Sequence, residues 1–314
     1  MTKARDTSTR EFRQAKEMAN AIIEHHFGKQ PKRIVSQGSG LSNFVFLIDH
    51  DEGEFVVRIS SAATKINAFI KEQWAIAKAR EVGVPTPDVL EVGNEVIPRP
   101  YMISSRVKAR EATHHPNRLA ILKEMGRYAA MINSIRTTGF GSTFDWTNNK
   151  LSLNKTWGDY LFGELNLEDR LKTLEKGRML PPPQFKKLRA TLESAAKSSF
   201  KPALNHGDIR LKNVMVDEEG KIKAIIDWED STSNLAPQWE LSLALHDLSI
   251  DEKQEFLKGY GLPAKKLAQT APLMKAINII NYAPKIKHLL ESKDKAKLEQ
   301  YRMRLSGALD LYLL

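Results

Sequence analysis

The chain has 314 residues, of which 48 are Lys or Arg and 38 are Asp or Glu, so its formal net charge is +10. This length allows one large domain or two lobes with a buried core, and a hydrophobic content of 41% is ordinary for a globular protein. The lack of cysteine excludes disulfides, thiolate metal sites and a cysteine nucleophile.

Apolar runs and the distribution of charge narrow the class of protein further. No apolar run approaches the roughly 20 residues that cross a bilayer, and the polar residues 1–13 lack the apolar core of a signal peptide. We therefore expect a cytoplasmic protein without a membrane partner. Residues 201–250 hold five basic and nine acidic side chains. Because the basic residues elsewhere are scattered, without interleaved aromatic residues, we expect no nucleic-acid partner.

The first part of the chain is predicted to contain a helix followed by short strands. Hydrophobic spacing predicts a helix over residues 11–27. Short β-rich runs follow at residues 33–37, 44–48 and 55–59, and a His-Asp-Glu-Gly turn joins the last two. This pattern indicates an antiparallel meander.

A glycine-containing loop lies between the first two predicted strands. It includes Gly38, Ser39, Gly40 and Ser42. Glycines in such a loop let backbone N–H groups approach phosphates closely. The same pattern also occurs in ordinary turns, so by itself it leaves a phosphate-binding role and a purely structural role open.

A charged residue interrupts the third apolar run. Arg58 must be either paired or exposed at a sheet edge, because an unpaired buried charge is costly. The next segment, residues 65–82, has helical spacing and carries Glu72 in its middle. No basic residue lies four positions from Glu72, although the adjacent Lys71 leaves an ordinary surface pair open. We predict that Glu72 pairs with Arg58.

Strand signals end near residue 105 and helical signals follow. Runs at residues 89–92 and 101–105 complete a sheet of about five strands. We therefore predict an N-terminal lobe over residues 1–105 and a mainly helical C-terminal lobe over residues 106–314. Helices in that second lobe are predicted at residues 117–136, 157–174, 183–198, 237–248, 252–260, 265–282 and 293–314.

A predicted β-hairpin in the second lobe brings polar side chains together. Its strands are residues 214–216 and 222–226, on either side of a polar turn. Asp208 and Asn213 precede the first strand and Asp227 follows the second. Because a hairpin folds its two ends toward one another, we expect these three side chains to converge. Carboxylate and amide oxygens suit Mg²⁺, so the hairpin predicts a magnesium site.

A family resemblance is carried by residues 206–213, His-Gly-Asp-Ile-Arg-Leu-Lys-Asn, and residues 226–229, Ile-Asp-Trp-Glu. They resemble the signature of the aminoglycoside phosphotransferase and choline kinase superfamily of small-molecule kinases. The sequence Gly139-Phe140-Gly141 followed by Trp157 is similar to hygromycin phosphotransferase-like members. The resemblance implies an α+β, bilobal protein-kinase-like fold, in which the helical lobe contains the catalytic loop and the hairpin.

The resemblance also implies roles for individual residues. Asp208 corresponds to the catalytic carboxylate that orients the acceptor hydroxyl, while Asn213 and Asp227 correspond to ligands of Mg²⁺ ions bound to ATP. Arg58, braced by Glu72, corresponds to the cation that binds the nucleotide phosphates. Adenine is expected against the connection between the lobes, at Ser104, Ser105 and Arg106.

The implied function is ATP-dependent transfer of a phosphate to a hydroxyl of a small molecule. Glu229, Asp230 and Glu240 are predicted to face a cationic acceptor, although caps and surface charges explain such residues equally well. An aminoglycoside-like antibiotic is favoured, and such an acceptor would imply a role in antibiotic resistance, but the sequence leaves open whether the role is resistance or metabolism. Choline, ethanolamine or a sugar are alternatives, as is a non-catalytic nucleotide-binding protein. The sequence leaves oligomeric state and the choice between ATP and GTP open.

Overall fold

The computed structural model describes residues 2–39, 43–61, 66–144 and 150–308. Its first helix, α1 (Thr2–Phe27), begins nine residues before the predicted start. Small and apolar side chains on one face of α1, among them Ala19, Ile22 and Ile23, are fully buried against the N-terminal sheet. This packing gives the sheet a core of its own on the side of α1.

The N-terminal sheet has five antiparallel strands. They are β1 (Arg33–Ser39), β2 (Asn43–His50), β3 (Gly53–Ser60), β4 (Val89–Gly93) and β5 (Tyr101–Ser105). Their order across the sheet is β1-β2-β3-β5-β4. Alternate residues of β2 are buried, as expected for a sheet with one covered face. The prediction of a sheet of about five strands is confirmed.

Helix α2 (Ile66–Glu81) connects the sheet to the rest of the molecule. Its residues Ala75, Ile76 and Ala79 belong to the same hydrophobic core as Ile132 and Leu204 of the C-terminal part. The end of β5 coincides with the boundary predicted at residue 105, while the core extends across that boundary through α2. The division into lobes at residue 105 stays a prediction.

Two small β-sheets lie within the mainly helical C-terminal lobe. The hairpin of β8 (Val214–Val216) and β9 (Ile222–Ile225) forms where the sequence predicts it, and β6 (Arg110–Glu111) pairs with β8. Strand β7 (Ala203–Asn205) pairs with β10 (Thr232–Asn234). These pairings bring the segments on either side of the hairpin together.

The remaining helices surround these strands. Helices α3 and α8 pack closely, since a Cβ atom on Gly126 would meet the Phe256 carbonyl oxygen at 2.0 Å. A second core joins the helices from Trp157 onward, except the helix over residues 250–260, whose Phe256 and Leu257 belong to the first core. The helices are α3 (Arg118–Ser134), α4 (Trp157–Asp159), α5 (Leu167–Lys176), α6 (Pro182–Ala196), α7 (Gln238–Ala244), α8 (Ile250–Tyr260), α9 (Ala264–Asn281), α10 (Ala283–Glu291) and α11 (Lys295–Ala308).

Two further differences concern the helices of the C-terminal part. The single helix predicted over residues 157–174 is divided into α4, a π turn over Tyr160–Glu164, and α5. Asn166 separates the last two with a left-handed backbone (φ 54°), and its side chain caps α5. Residues 283–291 carry no predicted helix, whereas the structure has α10 there, with Pro284 in the first turn, where proline is tolerated.

Within the described ranges, no helix is both long and apolar enough to cross a membrane.

Candidate active site

The segment after β7 contains the predicted catalytic carboxylate. Asp208 is only 8% exposed. Its Oδ1 accepts hydrogen bonds from the Arg210 guanidinium. Its Oδ2 lies 3.0 Å from Lys212 Nζ and accepts a hydrogen bond from Asn213 Nδ2 at 2.9 Å. Charged and amide donors on both oxygens hold the carboxylate in one orientation.

His206 supports the backbone of this segment and takes no direct part in the predicted chemistry. Its Nδ1 accepts the Asp208 backbone N–H at 3.2 Å, and its Nε2 donates to the Ile226 carbonyl at 3.1 Å. Burial lowers the pKa of His206 to about 4, which favours the neutral ring that this pattern requires. The ring also packs on Trp228, with the centroids 4.5 Å apart. His206 therefore links the start of the segment to the end of β9.

Glu240 lies beneath the same segment. Its side chain is fully buried, and its carboxylate accepts the backbone N–H groups of His206 at 2.5 Å and Gly207 at 3.3 Å. Burial raises the pKa of Glu240 to about 7. This placement contradicts the expectation that Glu240 faces a cationic acceptor, because its oxygens are buried and already bound to backbone donors. Glu240 instead holds the segment before Asp208.

The hairpin brings Asn213 next to Asp227. The Ile226 N–H donates to the Asn213 carbonyl at 2.9 Å, so the residue before Asp227 is bonded directly to Asn213. Asp227 has a left-handed backbone, with φ 65°. Burial, followed by the nearby Glu229, raises the pKa of Asp227. Asn213 therefore lies beside the segment that carries Asp227, and the charge of Asp208 also acts on the Asp227 carboxylate.

The donor set at this point fits a divalent cation. The Asn213 amide nitrogen is bonded to Asp208, which leaves the amide oxygen on the other side of the group. No side chain among the described residues makes a hydrogen bond to the Asp227 carboxylate, and a bound cation would offset the cost of its burial. No cluster of three or more His, Cys, Asp or Glu side chains suited to a metal exists in the described ranges. A cation here would therefore depend on one Asn, one Asp and ligand oxygens, as Mg²⁺ commonly does.

Arg58 and Glu72 form the ion pair that the sequence predicts. Arg58 Nη1 lies 2.5 Å from Glu72 Oε1, and the Glu72 side chain is 2% exposed. The other side of the guanidinium lies 3.8 Å from Glu229 Oε2. Asn43 Nδ2 also donates to that Glu229 oxygen at 3.4 Å. Glu229 therefore faces Arg58 and β2, which is not where an acceptor beside Asp208 would bind.

Lys71, which precedes Glu72 on α2, reaches the segment after Asp227. Its side chain is 6% exposed, and its Nζ donates to the Glu229 carbonyl at 2.6 Å. Burial lowers the pKa of Lys71, while Asp230, Glu72 and Glu229 act in the opposite direction. Two consecutive residues of α2 thus contact Arg58 and the turn that follows Asp227.

A cavity of about 1130 Å³ lies between the sheet and the hairpin. Its lining includes Arg58, Lys212, Asn213 and Asp227. From the connection after β5 it includes the three residues predicted to contact adenine, Ser104, Ser105 and Arg106. The Arg106 N–H donates to the Glu54 carbonyl at 3.0 Å, and the Ser105 N–H donates to the Asp88 carbonyl at 2.8 Å.

The predicted phosphate loop is only partly described. Gly38 and Ser39 form the end of β1, where Ser39 pairs with Phe44 of β2. Gly40 and Ser42 lie outside the described residues. A phosphate-binding role for this loop stays a prediction.

Asp230 is the third acidic residue predicted to face an acceptor. Burial, and next the charge of Asp208, raise the pKa of Asp230, so the two carboxylates are close enough to interact. Asp230 also lines a smaller cavity of about 280 Å³ with Arg58, Phe69 and Glu229. Of the three acidic candidates, Asp230 is the one whose location stays compatible with a group bound beside Asp208.

Sequence reasoning missed the contacts of Lys71, Arg210 and Lys212. Arg210 and Lys212 lie within the motif at positions two and four after Asp208, and this spacing was the available signal. Lys71 gave a weaker signal, as a lysine in a helix rich in apolar residues. Its partner is a backbone carbonyl 158 residues away, which no local pattern indicates.

Comparisons with known proteins give a family match and several structures of the same fold. The profile of the phosphotransferase enzyme family, APH, matches residues 34–270. The crystal structure of aminoglycoside phosphotransferase APH(4)-Ia is similar with a TM-score of 0.69 and 17% identity, covering 94% of this chain and 99% of that one. No curated protein sequence matches the chain significantly.

Two further structures share the fold. A GDP and kanamycin complex of an APH(2")-type enzyme has a TM-score of 0.63 at 13% identity, covering 91% of this chain and 96% of that one. A candidate aminoglycoside phosphotransferase from Ralstonia eutropha has a TM-score of 0.60 at 17% identity, covering 95% of this chain and 96% of that one. At these identities the similarity establishes the bilobal, kinase-like α+β fold.

Proposed function

Because the chain belongs to the phosphotransferase enzyme family, we propose that it transfers the γ-phosphate of ATP to a hydroxyl of a small molecule. The observation that carries this proposal is the convergence of Asp208, Asn213 and Asp227 beside a cavity that Arg58 and Lys212 also line. A purely nucleotide-binding protein has no physical need for an oriented carboxylate at that position.

In this proposal, Asp208 accepts the proton of the acceptor hydroxyl. A hydroxyl is a poor nucleophile at neutral pH, so a carboxylate within hydrogen-bonding distance orients it and accepts its proton. The donors on Asp208, from Arg210, Lys212 and Asn213, keep the carboxylate in place for that task. Lys212 also lines the cavity, where its charge would stabilise the negative oxygens of the transferred phosphoryl group.

Nucleotide binding in this proposal uses both sides of the cavity. Arg58, fixed by Glu72, keeps its charge at all relevant pH values and binds phosphate oxygens. Asn213 and Asp227 would hold Mg²⁺, which supplies charge neutralisation and alignment of the phosphates when bound. The segment of Ser104, Ser105 and Arg106 borders the remaining part of the cavity and suits a base. APH(4)-Ia variants with AMP-PNP or ADP, and the GDP complex, support a purine nucleotide.

The acceptor is a small hydroxyl compound. Hygromycin B and kanamycin occupy structures of the same fold, which supports testing aminoglycosides first. The sequence-based preference for an amine-bearing acceptor, however, now depends on Asp230 alone among the three acidic candidates. Choline, ethanolamine and sugars are therefore tested beside the aminoglycosides.

The proposal is tested by replacing Asp208 with Asn, which keeps the size of the side chain and removes the base. We expect acceptor-dependent ADP formation to fall by about 10²–10⁴-fold, while Mg-ATP still binds. Asp251→Asn, on the exposed first turn of α8, is the matched control and should retain activity. Full turnover in the Asp208 variant would contradict the proposal, and loss of Mg-ATP binding would indicate a disrupted fold.

A further inference from the structure

A cluster of charged and aromatic side chains lies on the other side of Asp208 from the nucleotide cavity. We call it the Arg210–Arg304 cluster, and it consists of Arg210, His246, Asp247, Tyr282 and Arg304. Asp247 joins its two arginines, since Oδ2 lies 3.9 Å from Arg210 Nη1 and Oδ1 accepts a hydrogen bond from Arg304. The three charged members are 41–53% exposed, so a dissolved molecule can reach them.

The position of Arg210 relates this cluster to the proposed reaction. Arg210 and Lys212 bind different oxygens of Asp208. Lys212 lines the nucleotide cavity, whereas Arg210 extends to Asp247. An acceptor hydroxyl has to approach Asp208 from the side that the nucleotide does not occupy, because the attacking and leaving oxygens are roughly in line. The Arg210–Arg304 cluster therefore borders the space open to the acceptor.

Asp247 is shared by more than one cation, although Arg210 is also neutralised by Asp208. Lys253 also lies close enough to interact with Asp247, so three cations surround this carboxylate. An arginine has five N–H donors, and Arg304 uses one nitrogen for Asp247. Arg210 uses Nε and Nη2 for Asp208, which leaves its Nη1. A dissolved oxyanion can therefore bind the remaining donors of Arg304 together with Arg210 Nη1.

His246 provides a second and independent observation. Its side chain is 9% exposed, and its Nδ1 accepts a hydrogen bond from Asn278 Nδ2 at 3.2 Å. Burial lowers the pKa of His246 to about 4, so the ring is neutral and carries its proton on Nε2. That N–H has no hydrogen-bond partner among the described residues, and Nε2 lies 3.7 Å from Asp247 Oδ1. The surroundings of Asp247 thus contain more donors than acceptors.

Aromatic packing holds the cluster in place. The Arg304 guanidinium lies over the Tyr282 ring at 5.6 Å, and the His246 and Tyr301 rings pack on Tyr282 at 4.8 and 5.5 Å. Fixed donors lose less conformational entropy on binding than mobile ones, which favours recognition of a specific group.

We infer that the acceptor carries an anionic group, a carboxylate or a phosphate, that binds Arg210 and Arg304 while its hydroxyl contacts Asp208. This inference rests on the proposed function and specifies its substrate class. In the transfer, the hydroxyl oxygen forms a bond to the γ-phosphorus, the bond to the bridging oxygen breaks to release ADP, and the hydroxyl proton passes to Asp208. A polycationic acceptor is disfavoured here, because its amines would lie beside like charges.

Four compounds with one carbon skeleton test the inference. They are glycerol, 3-amino-1,2-propanediol, glyceric acid and glycerol 3-phosphate, which differ in being neutral, cationic, carboxylated or phosphorylated. ADP formation with Mg-ATP and direct binding by calorimetry are measured for each, with kanamycin in parallel. We expect the two anionic compounds to bind at least about tenfold more tightly than glycerol, as for hydrogen bonds to a charged group. Their ranking distinguishes a carboxylate from a phosphate site.

A charge reversal then identifies the responsible residue. Arg304→Glu should remove the preference for the anionic compounds and favour the amine, and Arg304→Lys should retain part of the preference. Lys297→Glu makes the same change of charge on the same helix, where Lys297 pairs with Asp294, and should leave the preference intact. Thermal unfolding checks that each variant is folded.

The outcomes separate this inference from the proposed function. Equal binding of the four compounds, a preference for the amine, or equal effects of Arg304→Glu and Lys297→Glu would overturn the inference. ADP formation restricted to amine or neutral acceptors would do the same while leaving the proposed function intact. A failure to bind Mg-ATP would overturn the proposed function, and the binding comparison would still decide the anion preference.

Discussion

His206 shows how one buried side chain can make stability depend on pH. Its Nδ1 must be free of a proton to accept the Asp208 N–H, and the ring is fully buried. Burial lowers the pKa of His206 from 6.5 to about 4. The unfolded chain therefore binds a proton at this position more readily than the folded chain as the pH falls. The stabilisation is present above pH 6.5 and is lost as the pH falls toward 4.

We predict that His206→Gln removes this contribution to the pH dependence. The difference in unfolding free energy between wild type and variant should shrink by about 3 kcal/mol between pH 7 and pH 4, at 1.36 kcal/mol per pKa unit. Urea unfolding at a series of pH values measures it. Glu240 titrates with the opposite sign, since its pKa is raised to about 7. The comparison with the variant, and not the wild-type profile alone, is therefore decisive.

His288→Gln provides the control for this prediction. His288 lies on the exposed face of α10, so its replacement should leave the pH profile unchanged. A difference between wild type and His206→Gln that stays constant from pH 7 to pH 4 would contradict the interpretation of His206 as a buried neutral ring.

At the scale of one element, helix α2 links two parts of the proposed nucleotide site. Glu72 fixes Arg58, and Lys71 binds the Glu229 carbonyl just after Asp227. Side chains one position apart on a helix point in different directions, so α2 can contact the sheet and the hairpin segment together. A shift of α2 would therefore move the phosphate-binding cation and the candidate metal ligand relative to one another.

We predict that Lys71→Met reduces turnover mainly through the metal segment. The variant keeps the apolar stem but loses the bond to Glu229, so the turn after Asp227 is no longer fixed. The Mg²⁺ concentration for half-maximal activity should rise and kcat should fall by about tenfold or more, because small displacements at a reacting centre are costly. The KM for the acceptor should change little, and steady-state kinetics at varied Mg²⁺ measures all three.

Lys78→Met on the same helix is the matched control. Lys78 is half-buried and pairs with Glu81 of its own helix, away from the segment after Asp227, so its loss should leave the Mg²⁺ dependence unchanged. A general destabilisation of α2 would affect both variants, whereas the positioning role predicts an effect for Lys71 alone. Partial recovery in Lys71→Arg would support that role.

At the scale of the whole molecule, the cavity takes its lining from the sheet and from the C-terminal lobe. Arg58 and Ser104 come from the sheet, while Lys212, Asn213 and Asp227 come from the hairpin region. A ligand in the cavity that contacts both parts stabilises the folded chain by mass action. Because α2 shares one hydrophobic core with the C-terminal lobe, ligand binding should stabilise the sheet and that lobe together.

We predict that Mg-ATP at 100 times its dissociation constant raises the unfolding free energy by about 2.7 kcal/mol. Asp227→Asn should remove the part of this increase that depends on Mg²⁺, and ATP with a chelator should stabilise both proteins equally. Urea unfolding with each ligand combination measures the effect. Asp51→Asn, in the β2–β3 turn, is the control. An unchanged Mg²⁺ effect in Asp227→Asn would exclude Asp227 as a ligand.

Local patterns were sufficient for most of the fold. Short β-rich runs predicted the strands of the sheet, and the polar turn between apolar runs predicted the β8–β9 hairpin. The hairpin geometry followed from that turn, so the meeting of Asn213 with Asp227 could be predicted from sequence. Helix boundaries were less accurate, as at Asn166, because a side-chain cap and a left-handed backbone are not part of the hydrophobic pattern.

The acidic candidates illustrate what sequence cannot supply. Glu229, Asp230 and Glu240 are all carboxylates near Asp227 along the chain. Residue type and sequence position do not show which of them would contact an acceptor. Burial separates them: Glu240 binds backbone N–H groups beneath Asp208, Glu229 faces Arg58, and Asp230 stays near Asp208. A carboxylate's function depends on which donors surround it, and those donors come from distant parts of the chain.

The sequence by itself determined the class of fold, the order of its elements and the residues at the centre of the site, because strand periodicity, turn chemistry and a short motif are all local. The tertiary structure decided how α2 contacts both sides of the cavity through Lys71 and Glu72, and that Arg304 of α11 reaches Asp247 near Asp208. These contacts join residues far apart in sequence. Their formation depends on how helices pack, and packing depends on the shapes of whole surfaces.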